Sequence, residues 1–490
     1  MSLHNLPYKP VFLKKPQFSI RIFLFLFLFP GQVLPLVAQQ SNTLYLMHSV
    51  PQSNQLNPAV QIRCNFFVGI PGLNTLHMNY SNSAFNYNDL TSDNLLALDD
   101  VYNMLYRINM VSVEAVAYPI SLGLKRNGNY FTFSVAERFG SYTTYSKKLA
   151  GLALYGNTQY VGEIARVNNT RVNTTYYREY SVGWSVDWNP YTTFGIRGKL
   201  LFGKANLNTG PSRVSLGTDE ETFDLTVKGN VTLNSSLPVI LTMNDAGAIT
   251  GIDLKEFTYP GLLFNPRNPG VAADFGVIHE YSNDITLSAS LLDLGLIVWT
   301  DELYNINAEV DFLYEGVQEG TDFSAAAYFR DLSDSVVNDI IYDVTQKPYI
   351  SPLPAQLFLG ASYQWKKHIE LGIVMRNVWV NRGIKSSLTV SANAAFMKIL
   401  QASLSWSYLN NSPLHFGAGL AYVGRGLQIY AVTDNIPGLF LPLDARTINL
   451  RFGMNLMLGC PKKLSRGRNK ERSMVPCPPN VSLGGKKPKR

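Results

Sequence analysis

Five histidines lie beyond residue 38, His48, His77, His279, His368 and His415, and any hydrolytic or metal chemistry would have to be built from them. An esterase or peptidase needs a histidine beside a serine or a carboxylate in one cleft. His279 and Glu280 are neighbours on a strand-like stretch, so their side chains point to opposite faces. His368 ends a Lys366-Lys367-His368 turn, where solvation accounts for it. No Gly-X-Ser-X-Gly elbow and no His-Glu-X-X-His occurs. Cys64, Cys460 and Cys477 form no Cys-X-X-Cys and no zinc-ligand spacing. The residues point to a protein that is not an enzyme and carries no cofactor and no metal.

A second group of chemically able residues sits inside alternating stretches: Arg197, Lys199, Asp274, Asp293, Glu370, Arg376 and Arg451. In one reading they form a selectivity ring or latch a mobile segment. In the other, which their scatter favours, they are paired and hydrated charges on the polar inner face of a sheet. Strict alternation from Leu287 and Leu291 puts Asp293 on the wrong face, so a bulge or a strand end is expected there. Cys460 and Cys477 flank a basic tail, and an oxidising compartment would allow them to pair. Two free thiols are the alternative, with Cys64 left as a small apolar strand residue.

The elements that carry these side chains have a period of two. Val182, Trp184, Val186 and Trp188 oppose Gly183, Ser185 and Asp187; Phe194, Ile196, Leu200 and Phe202 oppose Thr193, Arg197 and Lys199. Phe223, Leu225 and Val227 alternate with Asp224, Thr226 and Lys228. The last strand is the cleanest, with Ile448, Leu450, Phe452, Met454 and Leu456 against Asn449, Arg451, Gly453 and Asn455. About sixteen such strands, each about nine to fourteen residues long, fit the length that crosses a bilayer at a tilt. Their apolar faces end in Trp188, Tyr363, Trp365, Trp379, Tyr408 and Tyr422, as interfacial girdles do. Two segments read as helices in long connections, Leu95–Tyr106 and Asp331–Tyr342. The expected fold is all-β, a transmembrane antiparallel barrel, because closure removes edges that lipid cannot satisfy.

Charge and composition agree. Charged residues are 16% against ~25% in an average soluble domain, and aromatics reach 12%. The formal net charge is +7, yet residues 1–38 supply +4 and residues 461–490 supply +9, so the body between them stands at −6. A nucleic-acid binder carries its basic residues on the folded body, so nucleic acid is excluded as a partner. Beyond residue 38 no long uncharged apolar run exists, which excludes a polytopic helical protein. Residues 1–38 have the layout of a secretory signal: Lys14, Lys15 and Arg21, the apolar core Ile22–Phe29, then Pro30-Gly31 and a small residue at Ala38.

Several stretches together resemble an uncharacterised outer-membrane barrel family of the Bacteroidota. They are Asn42–Ala59 with Cys64–Leu73, Gly195–Asn206, Asn268–Gly276, Ser288–Trp299 and Asn449–Cys460. That family is similar at a distance to long-chain fatty-acid transporter barrels and to the shuttle barrel of type IX secretion. The resemblance implies about 14 to 16 strands, an early Asn57-Pro58-Ala59 element and an N-terminal segment that enters the barrel as a hatch. The residues of Gln40–Ala59 fit that role, being too polar and too broken by Pro51 and Pro58 for a membrane strand. Leu44, Tyr45, Leu46 and Met47, with Asn57 and Pro58, are expected to face a ligand.

The expected organisation is a signal peptide over 1–38, a hatch over 39–60, a barrel over 61–458 and a basic periplasmic tail over 459–490. The expected function is an outer-membrane barrel that binds or passes a small hydrophobic molecule through a plugged lumen. The alternative is a non-enzymatic accessory of a protein secretion or assembly system, whose partners would be periplasmic or secretion proteins besides the outer-membrane lipid. Long connections such as Leu207–Ser236 and Gln318–Pro354 suit either role. An apolar cavity beneath the hatch would favour transport.

Overall fold

Alternating strands have one apolar and one polar face, and in lipid such a sheet is satisfied only when it closes around its polar side. A computed structural model describes residues 42–460 apart from 49, 93–94, 97, 211, 223, 244–248, 256–265, 315–339, 381–382, 397–398, 410–411 and 425. These residues belong to one unit, Pro35–Arg490. The expected leader and basic tail lie outside the described residues.

Fourteen antiparallel strands form the ring. They are β1 (Phe66–Gly69 and, after a break, Leu76–Asn82), β2 (Ile108–Arg126), β3 (Asn129–Ser146), β4 (Arg171–Asn189) and β5 (Thr192–Thr209). Then come β6 (Pro269–Glu280), β7 (Ile285–Trp299), β8 (Gln356–Lys366), β9 (Ile369–Val380) and β10 (Gly383–Phe396). The last four are β11 (Leu400–Leu409), β12 (Ser412–Val423), β13 (Leu427–Thr433) and β14 (Thr447–Leu458). β1 pairs with β2 on one side and β14 on the other, so the sheet has no open edge in the ring. No helix among the described residues is long and apolar enough to cross a membrane.

The faces are those of a transmembrane barrel. Along β14, Phe452 and Leu456 are exposed while Asn449, Arg451 and Asn455 are buried. The same split places Trp188, Tyr363, Trp365 and Tyr422 outward near the end that carries both termini. Trp379 and Tyr408 are outward near the other end, here called the rim. β2 to β5 run 18 or 19 residues, well beyond the ~9–11 that a bilayer needs. Where they leave the lipid an ionic cluster takes over the outer face: Glu137 pairs with Arg178, and Lys204 lies 3.0 Å from Glu137.

Turns at the terminus end are tight. Asn127 and Gly128, with φ of 51° and 75°, make the left-handed turn that joins β2 to β3, a conformation asparagine and glycine adopt most readily. The rim carries the long connections. There Ile164–Arg166, Arg213–Thr218, Leu225–Ser236, Leu303–Tyr314 and Ile340–Thr345 form a sheet that joins the ring through β5, where Leu233 pairs with Thr209. The alternating segment around Leu225 and Val227 is therefore a rim strand and not a membrane strand.

One expected helix is shorter than its pattern, Leu98–Met104. The other is corrected: Ile340–Thr345 is a strand paired with Leu303–Tyr314, as its β-branched and aromatic residues favour, and 331–339 lie outside the described residues. At Asp293 the ladder shifts register against β6 and φ is 58°, so the bulge turns this carboxylate inward.

Cys460 is bonded to Cys64, which corrects the expected Cys460–Cys477 pair. The register explains the choice. Phe66 faces Leu458, so the antiparallel ladder, continued two residues outward, brings position 64 opposite position 460. Alkylation of unreduced full-length protein should therefore label Cys477 alone. A second label on Cys460, read by peptide mass, would remove the bond.

Candidate functional site

A ring of fourteen strands is too wide for its own side chains to fill. Residues 42–60 occupy the space: a short helix, Asn42–Tyr45, a 3-10 turn, Pro51–Gln55, and the Asn57–Val60 corner, nearly all of it buried. Pro51 starts the turn with its φ already set, and the segment's orphan backbone groups find partners on the wall.

Polar contacts tie it on every side. The Asn42 amide donates to Ser387 and Thr389 at 3.0 and 2.9 Å, and the Thr43 N–H donates to the Asp434 carboxylate at 2.7 Å. The Gln52 amide donates to Asn74 and Asn455 side-chain oxygens, both at 2.8 Å. Ser290 donates to the Leu56 carbonyl at 2.6 Å, and Arg451 to the Gln55 side chain at 3.0 Å. Asn57 reaches the Tyr45 hydroxyl at 3.3 Å. Burial pushes the Tyr45 phenol up from its ordinary value, so it acts as a neutral partner.

Leu44, Tyr45, Leu46 and Met47 do not face a ligand space, which corrects their expected orientation. They pack on an apolar patch of the inner wall made by Phe358, Val374, Ala421, Tyr430 and Val432. Tyr45 stacks on Phe358 with ring centres 4.8 Å apart. The physical reason is solubility of the wall: an apolar inner patch needs an apolar cover, and the segment supplies it. Asn57 and Pro58 are likewise pressed against the wall, at Gly276 and Gly195. A Cβ on Gly195 would stand 2.2 Å from the Pro58 carbonyl carbon. Gly195→Ala should therefore lower the thermal transition of the barrel by the equivalent of about 1–3 kcal/mol. The control, Gly198→Ala, meets nothing within 4 Å and should leave it unchanged. Equal transitions for both variants would mean that this corner is not tightly seated.

The expected lumen charges are all buried. Arg197 is 3.0 Å from Asp274 and donates to the Asn54 carbonyl and side-chain oxygens at 2.7 and 2.6 Å. Lys199 lies 2.8 Å from Asp274 and 2.5 Å from Asp293. Arg376 donates to Gln356 at 2.8 Å. Glu370 is buried but joins no ion pair among the described residues. Sequence reasoning missed Arg138 and Glu179, 2.7 Å apart, and Glu114, and it named His77 only as one of five histidines. The available signal was a lone charge on the polar parity of an alternating strand.

On the rim side of the segment these residues enclose a cavity of about 100 Å³. Gln55 and Leu56 form its floor, and Arg138, Arg376, Arg451, Glu114 and Asp293 are its charged walls. Among the described residues His77 is the one histidine that reaches it; His279 meets Thr192 at 2.9 Å at the exposed ends of β5 and β6. Among the described residues no His, Cys, Asp and Glu cluster is able to hold a metal.

No curated protein matches this chain. Solved structures give loose likenesses. The P. putida toluene transporter TodX is 10% identical, with a TM-score of 0.36 over 82% of this chain and 91% of that one. A Pseudomonas aeruginosa FadL homologue is 10% identical, with a TM-score of 0.40 over 87% and 100%. The translocator domain of the autotransporter NalP from Neisseria meningitidis is 8% identical, with a TM-score of 0.29 over 85% and 100%. Overlaps of this size say nothing about what the present chain carries. A family model described as a family of unknown function (DUF5723) matches residues 58–434.

Proposed function

The chain belongs to that family of unknown function, and from this premise we propose that it is an outer-membrane conduit whose lumen is closed by its own residues 42–60. The observation that carries the reading is the fit of a non-strand segment to an inner wall that has both polar partners and an apolar patch for it. With the segment moved aside, Phe358, Val374, Ala421, Tyr430 and Val432 would offer that apolar patch to a passing molecule. A small, hydrophobic cargo is the class that such a surface suits. The export layout of residues 1–38 and the aromatic girdles support an outer-membrane location, with the termini on the periplasmic side.

The test is conductance in planar bilayers, full-length chain against one lacking residues 42–58. A second reading has its own support. The rim sheet built on Leu225–Ser236 and Leu303–Tyr314 projects from the ring and suits an accessory that binds other proteins. In that case the segment is permanent filling, and the full-length chain should show no openings at all.

A further inference from the structure

The cavity floored by Gln55 and Leu56 has a charge pattern that an apolar cargo does not explain. Arg138, Arg376 and Arg451 come from β3, β9 and β14, strands spread around the ring, and converge on one space of about 100 Å³. The carboxylates in the same lining are Glu114 and Asp293. Asp293 is engaged by Lys199 at 2.5 Å, and Glu114 accepts from Tyr142 at 3.0 Å. Arg138 is paired with Glu179 at 2.7 Å, and the guanidinium groups of Arg376 and Arg451 converge with it on a small, partly desolvated space, which favours an anion between them. The rest of the wall includes Val116, Leu292, Leu353 and Tyr177, which suit an apolar body. By volume the space holds about seven waters, or a molecule with a comparable number of heavy atoms.

We propose that this chamber binds a small monocarboxylate, its charge held between Arg376 and Arg451 with Arg138 behind, and its body against Val116, Leu292 and Leu353. A single negative charge fits best, because a second would approach Glu114 and Asp293. The proposal deepens the conduit reading and rests on it for its place on the route. Binding to the closed chain is nevertheless measured separately from conductance of the shortened one, so each can fail alone.

The experiment is calorimetry on purified full-length barrel with three probes: benzoate, its neutral counterpart benzamide, and inorganic phosphate. Benzoate should bind once per chain, with benzamide and phosphate each at least about tenfold weaker. Arg376→Met and Arg451→Met should each lower benzoate affinity about tenfold or more while the folded barrel keeps its fast migration on unboiled gels. Should either variant fail to fold, the comparison of benzoate with benzamide on the native chain still decides. Equal binding of acid and amide, no binding of benzoate, tighter binding of phosphate, or full affinity in both arginine variants would overturn the assignment.

Discussion

Removal of residues 42–58 should turn a closed barrel into a conducting one. In the full-length chain these residues span the lumen from Asp434 on one side to Asp274, through Arg197, on another. Without them the apolar patch around Phe358 is uncovered, and Ser387, Thr389, Ser405, Asn455 and the charged group around Lys199 are left to water. A fourteen-strand interior stripped of its filling is wide enough for hydrated ions. The strands themselves keep their ladders, so the shortened protein should still migrate fast when unboiled. The expected recording is stable open current from the shortened chain and a closed baseline, with rare openings, from the full-length one. Equal currents would mean that the wall closes the pore by itself, and the conduit reading would fall.

Arg197→Met should release the segment without removing it. This arginine is the joint between wall and segment: it pairs with Asp274 and donates twice to Asn54. Taking one partner from a buried ion pair costs about 3–5 kcal/mol, and here the lower figure applies because Lys199 stays 2.8 Å from Asp274. The Asp274 pair joins two wall strands and is lost in both states; the two bonds to Asn54 exist only with the segment seated, and hydrogen bonds to a charged group contribute about 1.5–3 kcal/mol each. Roughly two orders of magnitude in the closed-to-open ratio would follow from about 3 kcal/mol for those two bonds together. Brief openings should become frequent, and the thermal transition should fall. Asn54→Ala, which removes only the side-chain acceptor, should show a smaller shift in the same direction. An Arg197→Met barrel with native gating and native stability would show that the pair merely fills space.

The wall was legible in the sequence and its contents were only half so. Alternation along β14 fixes which side of Arg451 and Asn455 meets the lumen, because a strand has two faces and lipid tolerates one kind. The same logic located Arg197, Lys199, Asp274 and Arg376, and it anticipated that Asp293 needed a bulge. It could not say what those charges meet. Asn54, Gln55 and Leu56 have no periodicity, and their partners lie far away in the chain, so pairing with Arg197, Arg451 and Ser290 is a tertiary fact. The orientation of Leu44–Met47 went wrong for a related reason. The apolar residues that receive them, among them Val374 and Val432, sit one or two to a strand and converge only once the ring is closed. The helix expected over Asp331–Tyr342 does not reach its stated end, where Ile340 and Ile341 belong to a strand as β-branched residues favour.

The bond between Cys64 and Cys460 bears on the order of assembly. Most ring neighbours are joined by short connections, and the pairing of β1 with β14 alone spans almost the whole chain. Such a contact is the slowest to find, since the chain entropy of joining distant ends is lost before any pairing is gained. Cross-linked cysteines tether those ends 396 positions apart in sequence. A chain oxidised before insertion would arrive as a covalent loop with its last step of closure already confined to a small volume. A chain oxidised afterwards would carry the bond as a permanent mark that the ring had been completed, and neither end could then peel away from the other.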